Sequence, residues 1–267
     1  MPLQSRFTPA VLLSVSLLPI LLTGCSQTDV RGPNGSPLPD MVKGNWQITS
    51  SDIAAANLPT LSGSLAGSSA ALTAVFHSRS VRACVVPKSP IQVTGAVDPK
   101  GNVTLTGPLA GGTVTVSGAL AADGRSLTGT SFNVVGGTCG FPRAALAAAQ
   151  AYMPISGTYT GSFRDVDGQI ATVQAALNQS ADTNGDGNFT LSGTATPNNP
   201  CFSSTVPISS TSVSGGDFSF TYTDPGTNNS VTASGTFSSD ASTLNVTGWT
   251  SSGPCGADSG TGTMTRQ

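Results

Sequence analysis

Four cysteines fall into two pairs of almost equal spacing, and this symmetry constrains the fold more than any other feature of the chain. Cys84 and Cys139 lie 55 residues apart, Cys201 and Cys255 lie 54 apart, and the offset between the pairs is 117 or 116 residues. Their surroundings repeat as well. TVTVSGALAADGRSLTGT (113–130) aligns with NSVTASGTFSSDASTLNVTG (229–248), and GGTCG (136–140) aligns with SGPCG (252–256). GNWQITS (44–50) aligns with GTYTGSF (157–163), which sets Trp46 opposite Tyr159. Two copies of one domain, each of about 110 residues, account for this pattern.

Within each copy the apolar period is two. Val114, Val116 and Leu120 alternate with Thr and Ser, as do Val103 with Leu105, and Phe218, Phe220 and Tyr222. Asp98-Pro99-Lys100-Gly101, Asp123-Gly124, Asp224-Pro225-Gly226 and Asp240-Ala241 punctuate the strands as turns. An all-β fold follows: two tandem antiparallel β-meanders of seven or eight strands, each closed into a small barrel or sandwich. The exception is PRAALAAAQAYMP (142–154). It opens on Pro142, carries no β-branched residue up to Tyr152 and stops at Pro154, so it is predicted to be a short helix joining the copies. The expected boundaries are a β-domain over 43–142, a helical linker over 143–154 and a second β-domain over 155–267.

The first 24 residues are of another kind. VLLSVSLLPILL (11–22) is too short to span a bilayer, which takes roughly 20 apolar residues, and reads as the apolar region of a secretory signal. It closes on Leu22-Thr23-Gly24-Cys25. This ending resembles the lipobox of bacterial lipoproteins, where cleavage leaves a cysteine that is then acylated. The resemblance covers residues 1–26 only, and its single Arg6 makes a weakly positive leader. It implies that Cys25 begins the mature chain and carries the lipids that hold it to a bilayer. Several acyl chains anchor stably where one does not. Ser26 in place of an Asp after the cysteine points to the outer membrane of a Gram-negative bacterium. Residues 26–42, with Pro33, Pro37, Pro39, Gly32 and Gly35 and no apolar period, read as a flexible tether. Export permits disulfides. Four cysteines allow three pairings, and the duplication favours Cys84–Cys139 and Cys201–Cys255, one bridge per copy.

Composition bounds the partners. Charged residues make up 9% of the chain, with 11 Lys plus Arg against 13 acids, and every acid is Asp. Without a basic patch, nucleic acid is not an expected partner. The absence of Glu supports β structure, because Asp favours turns and Glu favours helices. It also removes the usual residue for glycosidase acid–base roles.

One motif offers chemistry. DTNGDGN (182–188) sets Asp182, Asn184 and Asp186 at alternate positions before Gly187, as the first half of a calcium loop does. Position 12 of that loop, however, is Gly193, NFTLSG (188–193) reads as a strand, and the first copy has neutral GSSA (67–70) in the same place. The favoured reading is a polar hairpin turn. A weak calcium site at Asp182, Asn184 and Asp186 is the alternative, and no other cofactor is expected. His77, the only histidine, ends an apolar strand and has no counterpart in the second copy. Asp165 and Asp167 read as a turn. Phe132 and Trp249 each precede the second cysteine of their copy and read as core packing beside a disulfide.

The expectation is a non-enzymatic envelope lipoprotein with no catalytic residue. Its tandem β-domains serve interaction or structure, with an envelope protein or glycan as partner. The alternative is a ligand-binding lipoprotein holding a small apolar or glycan ligand in a barrel, and a hydrolase stands third. An open, apolar barrel end would favour the binding protein. A filled core without a cavity would favour the interaction module.

Overall fold

The structure is a computed structural model that describes residues 42–51, 59–68, 71–79, 90–141, 143–184, 187–202 and 205–267. The signal, Cys25, most of the tether, Cys84 and Asp186 lie outside the described residues. The first copy is built from β1 (Gly44–Ser50), β2 (Leu61–Ser68), β3 (Ala71–Ser78), β4 (Pro90–Val97), β5 (Asn102–Leu109), β6 (Gly112–Leu120), β7 (Ser126–Gly136) and β8 (Ala145–Tyr152). The second is built from β9 (Ser156–Asp165), β10 (Ile170–Gln179), β11 (Leu191–Asn198), β12 (Val206–Ser214), β13 (Asp217–Thr223), β14 (Ser230–Phe237), β15 (Thr243–Ser252) and β16 (Asp258–Arg266). Each strand pairs antiparallel with the next, and β1 with β8 and β9 with β16 close two eight-stranded barrels in tandem. No described helix is long and apolar enough to cross a membrane.

The predicted linking helix is instead β8, so the first domain runs to Tyr152 rather than ending at residue 142. Ala149 pairs with Ile48 of β1 on one side and with Leu127 of β7 on the other. Ala145 and Ala149 point into the barrel and are buried. Alanine and glutamine prefer helix by propensity. Here that preference, a few tenths of a kcal/mol per residue, yields to the hydrogen bonds that β1 and β7 would otherwise lack. Only Met153, Pro154 and Ile155 separate the two barrels.

Alternation does the rest. In β10 Val173, Ala175 and Leu177 turn inward while Thr172, Gln174 and Asn178 face out. Inward side chains form two separate cores, one per barrel. Trp46 and Tyr159, opposite each other in the alignment, are both buried, and each uses its polar end on a backbone carbonyl. The Trp46 Nε1–H donates to Val42 at 2.6 Å and the Tyr159 hydroxyl to Ala241 at 2.7 Å, as buried aromatics with a polar handle do. The polar outer faces are the reverse of a membrane barrel, which shows apolar residues to lipid.

Asp residues hold the turns. Asp98 Oδ1 accepts from the Lys100 and Asn102 amides at 2.8 Å. Asp240 accepts from the Ser238 hydroxyl at 2.6 Å and the Ser242 amide at 3.0 Å. These hydrogen bonds, that of Ser238 foremost, bring the Asp240 pKa down to about 2. Its unfolded value is about 3.9. The turn's contribution to stability is therefore complete above that value and is lost as pH falls through about 2. Between pH 4 and pH 2 the melting temperature of the wild type is expected to fall more steeply than that of Asp240→Asn, as followed by circular dichroism.

The barrels also touch each other. The turn after β12 meets the outer face of β1 and β2. Asn45 donates to the Gly215 carbonyl and accepts from its amide, both at 2.7 Å. Gln47 accepts from the Gly216 amide at 3.1 Å, and the Ser62 and Ser214 hydroxyls lie 2.9 Å apart. Arg79 pairs with Asp217 and donates to the Ser214 carbonyl. Tyr152 meets Phe237 edge-on at 5.2 Å. Asn45, Ser62 and His77 sit on the outside of their barrel yet are 2%, 0% and 6% exposed, because the second barrel covers them.

Candidate functional site

The end of the second barrel that holds its disulfide is open. Phe163, near the end of β9, meets Trp249 of β15 edge-on at 6.2 Å. Tyr222, near the end of β13, meets Phe202 in the β11–β12 connection edge-on at 5.4 Å. Cys201 in that connection is disulfide-bonded to Cys255 in the β15–β16 connection. Asn229 locks the same two segments, donating to the Cys201 carbonyl at 2.7 Å and accepting from the Cys255 amide at 3.0 Å. Each end of this side chain thus holds one of the two segments.

Between these groups lies a cavity of about 130 Å³, walled by Phe163, Val173, Phe202, Tyr222, Val231 and Trp249. An apolar cavity of about 150 Å³ is large enough to bind benzene. Burial pushes the Tyr222 phenol above its ordinary range, so it stays neutral. Among the described lining residues Asp258 alone carries a charge, and it is exposed. The Trp249 Nε1–H is buried and makes no hydrogen bond among the described residues. In the first barrel, Trp46, Phe76, Leu105 and Leu127 are among the side chains around a void of only about 10 Å³, no more than one water's worth. A separate depression of about 520 Å³ on the outside of the second barrel, lined by Thr160, Thr172, Gln174, Thr196 and Thr263, is shallow and polar.

The other residues singled out in the sequence fall elsewhere. Cys139 is buried in the first core, and its expected partner Cys84 lies outside the described residues. Asn184 Oδ1 accepts from the Asn188 amide at 3.0 Å and the Asn184 carbonyl from the Gly187 amide at 2.9 Å, which is hairpin-turn chemistry. The Asp182 carbonyl accepts from the Ser180 hydroxyl at 2.7 Å. No group of three metal-ligating side chains is brought together among the described residues. The loop meets the first barrel instead. Gly187 has φ +74°, and a Cβ there would lie 2.1 Å from His77 Nε2. His77 is therefore part of the contact between barrels. Asp165 Oδ1 caps the β9–β10 turn by accepting from the Gln169 amide at 2.7 Å. Phe132 is fully buried, as core packing requires. Trp249, its counterpart, packs on the second core and also walls the cavity.

Sequence reasoning missed Phe163, Phe202 and Tyr222 as cavity walls. A signal existed for Phe202, an aromatic next to a cysteine in a Pro- and Asn-containing connection.

No protein-family profile matches the chain, and no curated protein matches it. Among solved structures, the kievitone hydratase of Nectria haematococca aligns over 89% of this chain and 95% of its own, at 11% identity and a TM-score of 0.23. A score that low carries no argument about fold or activity.

Proposed function

We propose that this chain is a lipid-anchored, non-enzymatic protein of the bacterial envelope whose second barrel captures a small apolar ligand at its open end. The cavity walled by four aromatic side chains carries this reading. It is the open, apolar barrel end that distinguishes a binding protein from a filled interaction module. The first barrel, tightly filled around Trp46 and Phe76, acts as the spacer and support between bilayer and binding end. The anchoring half rests on Leu22-Thr23-Gly24-Cys25. The polar depression around Thr160 and Gln174 supports a second, weaker reading as a surface for an envelope glycan.

Benzene, titrated into residues 25–267 carrying Cys25→Ser and followed by ligand-observed NMR, tests the binding half. Saturable binding is expected in this protein and its loss in Val231→Phe, which fills the cavity while keeping the barrel's melting transition. An absence of saturable binding in the first protein would return the chain to the interaction reading. In cells, labelled palmitate is expected to enter the wild type and not Cys25→Ser.

A further inference from the structure

The charge of the chain is divided unevenly between its barrels. Residues 43–152 carry seven Lys and Arg against three Asp, a net side-chain charge of +4, whereas residues 153–267 carry two Arg against eight Asp, a net −6. Part of that negative charge stands at the mouth of the cavity. Asp258 lines the cavity and is exposed, which places it where the cavity meets solvent. Asp165 and Asp167 lie at the β9–β10 turn, at the same end of the barrel. No Lys or Arg stands among the described lining residues. Arg164, next to Phe163 in β9, is exposed and donates to the Gly168 carbonyl at 3.3 Å. We infer that the second barrel selects a small organic cation, whose apolar ring enters the cavity and whose protonated amine, on a short arm, stays at the mouth against Asp258. This inference rests on the ligand-binding reading above and adds the chemical class.

Size, burial and charge each narrow the ligand. A space of about 130 Å³ holds one six-membered ring and little more. The walls formed by Phe163, Val173, Phe202, Val231 and Trp249 have no ionisable group, and burying an unpaired charge among them is strongly unfavourable. The charge of a ligand therefore stays at the mouth, beside Asp258, while its ring goes in. An exposed ion pair by itself contributes modestly. Here the field of a barrel of net −6 reinforces it, because a cleft bordered by charges of one sign concentrates ions of the other. The same field opposes an anion, and no cation among the described lining residues offsets it. A neutral ring feels neither effect.

Benzylamine, benzyl alcohol and benzoate form the matched series, since they share the ring and are cationic, neutral and anionic at pH 7. Their dissociation constants are measured by ligand-observed NMR in the mature chain carrying Cys25→Ser. The series is run in dilute buffer and again in about 1 M sodium chloride, which shortens the reach of charge to about 3 Å. In dilute buffer benzylamine is expected to bind about fivefold more tightly than benzyl alcohol, the upper range for an exposed ion pair, and benzoate more weakly than either. Salt is expected to bring the three together. Asp258→Asn is expected to remove most of the preference for benzylamine and to leave benzyl alcohol unchanged. Asp182→Asn removes the same charge from the β10–β11 connection, at the other end of the barrel, and is expected to keep the preference. The salt series needs no change in the barrel, so it decides even if Asp258→Asn fails to fold. Equal affinities for the three rings in dilute buffer, or tightest binding of benzoate, would overturn the charge rule while leaving the cavity a binding site. An equal fall in the two Asp variants would overturn the role given to Asp258. Binding of benzene but of none of the three would overturn the inference alone, and binding of none of the four would overturn the ligand-binding reading itself.

Discussion

Replacing both Cys201 and Cys255 by alanine is expected to lower the stability of the second barrel by about 4 kcal/mol, because their bond closes a loop of about 55 residues in the unfolded chain. For a domain of about 110 residues this corresponds to a fall of about 15 °C in melting temperature. Calorimetry of the double variant against the oxidised wild type measures it. The same change has a local effect. The disulfide joins the two segments that carry Phe202 and the rim of the cavity, and without it the Asn229 hydrogen bonds remain, among the described residues, to tie the Cys201 segment to the Cys255 segment. Benzene binding is therefore expected to weaken even at temperatures where the barrel is folded. A melting temperature within about 3 °C of the wild type would show that the closed loop contributes little, against the chain-entropy account.

The second large effect concerns the contact between barrels. Gly215 has φ +56°, and a Cβ there would lie 2.6 Å from Gln47 Oε1 and 2.8 Å from the Ser62 Cβ. Gly215→Val adds left-handed strain of about 1–2 kcal/mol for a residue with a side chain. It also adds about 1–3 kcal/mol of overpacking against β1 and β2. The strain falls on the second barrel's own turn, so the loss of coupling is the overpacking, about 1–3 kcal/mol, seen as two calorimetric transitions in place of one. Asn45→Ala approaches the same contact from the other side without altering the second barrel. It strips the Gly215 amide and carbonyl of their partner and is expected to split the transition in the same way. A single unsplit transition in both variants would show that the barrels are coupled by other means.

These features differ in how far they could be read from sequence. The strands and their duplication were legible because period-two alternation is local, and the Asp-Pro and Asp-Gly turns mark its breaks. β8 was not legible. Its alanines carry a local helix preference, while the force that makes them a strand is closure against β1, more than 90 residues away in the sequence. Trp249 was noticed for its place beside a cysteine. Whether an aromatic there packs or lines a cavity depends on Phe202 and Tyr222, which approach from different strands. The contact between barrels left no trace at all. Asn45, Ser62 and His77 occupy ordinary outward positions in their strands, and only the tertiary arrangement makes those positions buried. The DTNGDGN loop was legible as a polar turn, but not the approach of His77 to Gly187, which only the docking of the two barrels brings about.

Closure of the two sheets also governs how many copies of this chain can live side by side. Strands dense in Thr, Val and Phe are prone to pair with other chains when an edge is left open. Here β1 is joined to β8 and β9 to β16, so neither barrel presents a free row of amides and carbonyls to a neighbour. A chain confined to a membrane surface, as proposed, meets its own copies far more often than one diffusing in bulk. With its edges sealed and its outer faces covered in hydroxyls and amides, it can be packed densely there without growing into a shared sheet.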